Sequence, residues 1–514
     1  MSTASDMPSV QQRIGFIAAM VGMFMAILDI QIVASSLNEI QAGVSATPDE
    51  ISWVQTAYLI AEVIMIPLSG MLTRWLSTRV TFVISCAAFT LASIGCAMAQ
   101  TIDQLIVLRA IQGFVGGAMI PIAYALSFRL FPPRMMGVIQ AIIGMIATTA
   151  PSIGPTLGGY ITQTSSWHWL FLMNVVPGII ACVVVWLNLH IDEPDFKLFK
   201  KIDFVGLLFM ALFLGPLEYI LEEGPGEDWF ASSEIVWITL LSATAAVAFF
   251  WRALTVEFPI VDLKVFRDRN FFLGTMLGFL IGIALYGLVY LMPMFFGTVR
   301  HFNSLQIGEI MFVTGATMFC SAPIFGRLSD KIDPRVLLTY GLFMVGLGAF
   351  MNASLTADAG FDQFFWPQIV RGAGLLVCIL TVTRIAMGTL PGSEIANAAG
   401  LFNVMRNLGG AVGLAAMDTI RDSRLDYHWN QLIQSVNEGR EVVVQTLYQS
   451  QMQLSAVTDP AAAAIKQLSN RVMTQAQVLS FNDLFLLLGV MYMCSVLLMF
   501  FIHKPAQATG GAGH

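Results

Sequence analysis

Ile14-Gly-Phe-Ile-Ala-Ala-Met-Val-Gly-Met-Phe-Met-Ala-Ile-Leu-Asp-Ile-Gln-Ile-Val-Ala-Ser-Ser36 is an apolar stretch whose only ionisable side chain is Asp29. A helix rises about 1.5 Å per residue and bilayer hydrocarbon is about 30 Å thick, so a run of roughly 20 apolar residues reads as a span. Such runs recur at 14–36, 52–71, 80–99, 104–127, 138–161, 170–190, 203–221, 235–255, 271–296, 305–326, 335–354, 364–388, 395–417 and 484–502. The expected fold is therefore an all-α membrane protein with fourteen transmembrane helices. Composition agrees: with 514 residues, 56% hydrophobic and 11% charged, the chain has too little polar surface to cover a water-soluble body.

The connections carry the orientation. With the N-terminus cytoplasmic, Arg74, Arg79, Arg129, Arg134, Arg252, Arg327, Lys331 and Lys504 fall on the cytoplasmic side, and Arg300 alone among the short outer loops. The connection Glu222 to Glu234 has five acids and no base, which suits the outer face. An even number of spans returns the C-terminus to the cytoplasm. Met1 to Gln12 is short and polar with no small-residue cleavage site, so the first span reads as its own insertion signal. Residues 418–483, polar and rich in Gln, form the one long connection; it reads as a cap on the outer face or a docking surface for a periplasmic partner.

Two loops look like copies of one another. Gly70-Met-Leu-Thr-Arg-Trp-Leu-Ser-Thr-Arg79 joins spans 2 and 3, and Gly326-Arg-Leu-Ser-Asp-Lys-Ile-Asp-Pro-Arg335 joins spans 10 and 11. Arg109-Ala-Ile-Gln-Gly113 in span 4 is echoed by Arg371-Gly-Ala-Gly374 in span 12 at a nearly equal offset. An internal repeat of two six-helix bundles follows, 14–190 and 271–502, related by a pseudo-two-fold, with two inserted helices at 203–255.

These loops, Arg109/Gln112/Gly113, Gly154-Pro-Thr-Leu-Gly-Gly159, Leu28-Asp29, the segment Trp167 to Gly178 and Glu227-Asp-Trp-Phe230 together resemble the major facilitator superfamily, and within it the EmrB/QacA-type fourteen-span drug:proton antiporters. The resemblance covers nearly the whole chain. It implies a bacterial cytoplasmic (inner) membrane exporter linked to antibiotic resistance. It also implies partners: a periplasmic adaptor of the EmrA type and an outer-membrane duct of the TolC type. Arg74 stands where the family carries an acid, which moves any charge relay to Asp330 of the second copy. Gln31, Ala34 and Asn38 replace the family's Thr, Asn and Pro after Asp29.

An ionised side chain costs from about 2.5 to more than 10 kcal/mol in hydrocarbon, so each one inside a span needs a cavity or a partner. Asp29 and Arg109 are expected at a common depth, as a proton-sensitive pair or as a permanent ion pair setting helix register. Glu62, mid-way along span 2, is the first candidate for a proton site or a cation ligand, the alternative being a hydrogen bond to a neighbouring helix, with Gln112 beside the pair as a secondary candidate. Glu218 and Glu222 read first as solvated acids at the outer end of an inserted helix and second as transport groups. Arg371 and Arg406 read either as second-half counterparts of Arg109 or as carbonyl ligands. Gly70, Gly326, Asp330 and Arg335 are the gating candidates of the two loops. Gly154, Pro155, Gly158 and Gly159 allow span 5 to bend and approach a neighbour, and the resemblance implies that this seals exchange against leak.

The reading is a proton-coupled secondary active exporter that moves lipophilic and cationic compounds by alternating access. A dedicated metabolite or siderophore exporter of the same fold is the alternative, and a polytopic membrane enzyme or a non-transporting sensor the alternative from another class. His168, His190, His301, His428, His503 and His514 form no metal-ligand spacing, and no Gly-rich loop with Lys and Ser/Thr cradles a nucleotide. No cofactor or metal is therefore expected, no enzyme activity, and, with no basic tract, no nucleic-acid partner. Cys86, Cys96, Cys182, Cys320, Cys378 and Cys494 all lie in apolar segments and read as small hydrophobes.

Overall fold

The computed structural model describes residues 7–132, 135–197, 202–302, 304–329, 331–391, 394–436, 440–454 and 459–502. Asp330 lies outside them. Hydrocarbon offers backbone amides no water, so the apolar runs resolve as helices. In chain order these are α1 (Val10–Ala34), α2 (Leu37–Val44), α3 (Pro48–Leu76), α4 (Thr78–Met98), α5 (Ile102–Gly116), α6 (Met119–Leu130), α7 (Met136–Thr164), α8 (His168–Leu172) and α9 (Val175–Asn188). There follow α10 (Phe204–Glu223), α11 (Ser233–Thr255), α12 (Arg269–Thr298), α13 (Ser304–Ser329), α14 (Pro334–Met351), α15 (Phe361–Met387), α16 (Ile395–Ser435), α17 (Glu441–Gln453) and α18 (Pro460–Ser495).

Each expected span falls on this series, the fourth on α5 with α6 and the sixth on α8 with α9. Among the described residues, twelve helical stretches are long and apolar enough to cross a membrane. The other two are α7, which supplies only the shorter apolar run Met136–Ala147, and α16, where Asn397, Asn403, Arg406 and Asn407 dilute the run. The paired halves have local causes. At Gly117 a side chain would meet the Glu62 carbonyl at 2.8 Å, so α6 starts afresh beside α3. The break between α8 and α9 turns Asn174 inward, toward Asp29.

The long connection 418–483 is not a loop. No Gly or Pro occurs between Leu414 and Ser435, so α16 continues for 41 residues, and α18 already begins at Pro460, capped by Asp459. With α17 packed on α18, these extensions make a helical cap at one end of the bundle. We call that the cap end. Arg74, Arg129, Arg252 and Arg327 mark the opposite, basic end.

Helix α1 packs on α6, α7 and α9, and α3 on α5; α12 packs on α15 and α16, and α14 on α15 and α18. The contacts that join these groups are α7 against α13 and α15, and α16 against α3 and α6. The hairpin α10–α11 lies beside them, with α10 touching both α3 and α16. Without water to drive apolar association, such contacts rest on close backbone approach at small residues. A Cβ at Gly409 of α16 would come 2.8 Å from the carbonyl carbon of Phe279 in α12. Gly409→Ala is expected to lower the unfolding midpoint in detergent, by roughly 1–3 kcal/mol of stability. Gly297→Ala, where nothing lies within 4 Å, should leave it unchanged. Equal midpoints for both variants would refute this account of the α12–α16 contact.

Candidate functional site

Asp29 on α1 and Arg109 on α5 are both fully enclosed, and Arg109 Nη1 lies 2.5 Å from Asp29 Oδ2. Asn174 Nδ2 donates to Asp29 Oδ1 at 2.7 Å and Gln112 Nε2 at 3.1 Å. Gln112 also donates to Ser93 Oγ at 2.8 Å and accepts from Arg109 at 2.8 Å. Arg109 Nε reaches the carbonyl of Val54 at 3.1 Å, and the guanidinium sits 4.2 Å from the centroid of the Tyr58 ring. Desolvating two ions costs several kcal/mol each and is repaid only where their remaining lone pairs and protons are met. This carboxylate has three donors, two from α5 and one from the junction of α8 and α9.

A separate cavity of about 470 Å³ lies between α1, α3, α7, α10, α12 and α16. Its lining belongs to the cap-end halves of those helices, and Glu62, Glu218 and Glu222 are part of it. Glu62 is 2% exposed and Glu218 6%; Oε1 of the first and Oε2 of the second have no hydrogen-bond partner among the described residues. Asp29 and Arg109 do not line this space. They sit behind its wall among α1, α3, α4, α5 and α9, at a place separate from Glu62. Glu218 is buried on the cavity wall rather than solvated, because α10 packs against α3, while Glu222 is half-buried on the same wall.

Towards the basic end the walls meet. A Cβ at Gly70 would lie 3.1 Å from the Ala396 carbonyl, and one at Gly400 3.4 Å from that of Ile66. On the opposite side, Gly326 approaches Ala141 at 3.3 Å and Gly308 packs on Thr156, so α7 and α13 touch from end to end. The two loop glycines thus occupy equivalent crossings, one on α16 and one on α7. Gly154 and Gly158 of α7 face α1, at 2.6 Å from Gln31 Cβ and 2.8 Å from Ser35 Oγ, while Gly159 is buried and Pro155 lines the cavity.

The remaining arginines differ from one another. Arg371 is buried with Thr314, Gln368, Met292 and the carbonyl of Leu288, and makes no ion pair among the described residues. Arg406 donates to Tyr124 Oη at 3.0 Å, linking α16 to α6. Arg335 pairs with Asp333 at 3.1 Å and reaches the carbonyl of Ile502. Sequence reading missed Asn174, Ser93, Tyr58 and Tyr124, since a list built on ionisable groups passes over neutral partners.

Residues 19–414 match the family model described as the Major Facilitator Superfamily. The chain belongs to that superfamily. It is 43% identical over 490 residues to the colistin resistance protein EmrB of Acinetobacter baumannii, covering 95% of this chain and 96% of that one. It is 30% identical to the multidrug export protein EmrB of Escherichia coli K12, over 97% of this chain and 96% of that one. The fatty acid resistance protein FarB of Neisseria gonorrhoeae is 29% identical, with 96% of each chain covered. The fold is similar to that of the proton:xylose symporter XylE, at a TM-score of 0.59 and 12% identity over 95% of both chains. This superfamily member is thus a multi-pass membrane protein of the transporter fold.

Within it, removing one member of the buried pair leaves the other unpaired, a change that costs about 3–5 kcal/mol. Arg109→Ala and Asp29→Asn should therefore each lower the unfolding midpoint and the yield of folded protein. The double variant Asp29→Asn/Arg109→Gln should recover most of the loss. Detergent unfolding measures this, and a double variant no better than Arg109→Ala would contradict the pairing.

Proposed function

We propose that the chain is a proton-coupled exporter of lipophilic and cationic compounds, working by alternating access as a fourteen-span protein of two six-helix halves, 14–190 and 271–502, with the inserted pair 203–255. The basic end, and with it both termini, faces the cytoplasm of a bacterial inner membrane, following the excess of Lys and Arg on that side. The observation that carries the reading is Glu62: a buried carboxylate with an unpartnered oxygen, on the wall of a drug-sized cavity next to the α3–α16 closure. An acid so placed is comfortable only when neutralised, by a proton or by a cationic cargo. Exchange of one for the other couples proton entry to export. The names of the EmrB relatives support this reading.

An anionic cargo, such as the name of the FarB relative suggests for that protein, suits the cavity poorly, because none of its lining side chains is Lys, Arg or His. The Asp29–Arg109 pair is assigned to coupling between α1 and α5 behind the wall, with Gly70, Gly326, Asp330 and Arg335 at the gates. The cap of α16, α17 and α18 stands where an adaptor of the EmrA type, followed by a duct of the TolC type, would dock.

In proteoliposomes with an imposed pH gradient, the parent should export lipophilic cationic dyes, and Glu62→Gln should reduce that export about tenfold or more while remaining folded. A Glu62→Gln variant that pumps like the parent would move the proton site elsewhere. A parent that moves no lipophilic cation would remove the export reading itself.

A further inference from the structure

We infer that the cavity is built for a ligand with two positive charges, one held by Glu62 and the other by Glu218 and Glu222 of the inserted helix α10. The inference rests on this cavity being the transport site and names the class of compound it takes.

Three observations converge. The first is an excess of negative groups: among the described residues, Glu62, Glu218 and Glu222 make no ion pair and no base lines the space, and while Arg406 of α16 acts on Glu62, only other acids act on the two carboxylates of α10. Arg109 is paired with Asp29, and Arg421 at the cap end pairs with Asp418 at 2.9 Å; Arg406 bonds only the neutral Tyr124 hydroxyl and keeps its charge beside Glu62, so the rungs with no cation of their own are Glu218 and Glu222. Glu223, next in the chain, accepts from Thr56 Oγ1 at 2.9 Å and is not among the lining groups.

The second is burial with orphaned oxygens. Glu62 and Glu218 are each more than nine-tenths buried, and each keeps an oxygen without a partner on the wall of the same cavity. The Asp29 site shows the opposite treatment of a buried carboxylate: it is surrounded with donors. Glu62 and Glu218 have been left open, on the side where a ligand sits.

The third is spacing. Gly215 of α10 packs against Ile60 and Ile64 of α3, each at 3.4 Å from its added Cβ, so Glu62 is level with Gly215. Helix α10 runs towards the cap end as α3 runs away from it. At a rise of about 1.5 Å per residue, Glu218 stands roughly 5 Å and Glu222 roughly 10 Å nearer the cap end than Glu62. The carboxylates thus form a ladder, and Tyr286, Tyr290 and Met294 on α12 supply aromatic and soft apolar surface between charges. A flexible chain bearing two quaternary ammonium groups follows such a ladder, whereas a monocation engages one rung. The inserted hairpin is on this account part of the binding site.

The test uses the full chain, purified in detergent and in proteoliposomes, with alkane-bis(trimethylammonium) probes of graded length and a monoquaternary probe of equal carbon number. Parent protein should bind the best dication about tenfold more tightly than the monocation, with an optimum spacer rather than a steady rise with length. Glu218→Gln, nearly isosteric and so expected to fold, should lower dication affinity about tenfold and leave monocation affinity nearly unchanged. Glu218→Gln/Glu222→Gln should abolish the optimum. Unchanged dication binding in the double variant, or an equal loss for both probes, overturns the inference. Export separates the two readings: Glu218-dependent dication binding without pumping of either probe sinks the exporter and keeps the site. Pumping of the monocation with dication binding indifferent to Glu218 keeps the exporter and sinks the site.

Discussion

A carboxylate inside a membrane must be neutralised, and the whole organisation of this protein follows from how it meets that demand at different places. Asp29 is met by the protein itself, through Arg109, Gln112 and Asn174. Because those partners come from different helices, the pair ties α1, α5 and α9 together, and through the Val54 carbonyl and the Tyr58 ring it ties in α3 as well. The first group of helices can then move as one body. Glu62 and Glu218 are not met, and an unsatisfied acid is the means by which something that comes and goes, a proton or a cation, acquires leverage over the fold.

The contacts between helix groups convert that leverage into access. Along α7 and α13 the approach is continuous, from Gly308 on Thr156 to Gly326 on Ala141. Between α3 and α16 it is confined to the basic end, at Gly70 and Gly400. The cavity occupies the space where α3 and α16 have parted, and Glu62 is on α3 just beyond the point of closure. A charge change there acts on the one helix pair whose contact is incomplete.

Much of this was legible in the chain. Hydropathy alone placed helices over all fourteen expected spans, because hydrocarbon permits few other backbones. The loop copies at Gly70 and Gly326 marked equivalent crossings, since a residue without a side chain is required where backbones meet. What stayed hidden has a common cause: span length and polarity report where a segment sits along the membrane normal but not which way a helix face turns. Glu218 therefore reads first as solvated although it is buried on the cavity wall, and nothing in span length says that Asp29 and Arg109 lie behind that wall. For the cap, polarity marked residues 418–483 as outside the hydrocarbon; the extent of helix there comes from the absence of Gly and Pro after Gly413, which lets α16 keep its hydrogen-bonding pattern in water as readily as in lipid.

That continuity has a mechanical consequence. In α16 a single rod carries Asn397 and Gly400 at the closed basic end, Asn407 and Gly410 on the cavity wall, and His428 in the cap. His428 and Arg424 both hold Asp483 of α18, at 2.8 and 2.5 Å, so the cap portions of α16 and α18 are fastened to one another outside the membrane. A rod gripped at the cap cannot tilt alone; it carries α18 with it. Any rearrangement that opens the α3–α16 contact at the basic end must therefore displace the cap, and whatever seats on the cap is in mechanical communication with the acids of the cavity. The coupling runs along one continuous helix: beyond Gly413 it holds neither glycine nor proline, and Gly409, Gly410 and Gly413, between the closure and the cap, are where it bends most readily.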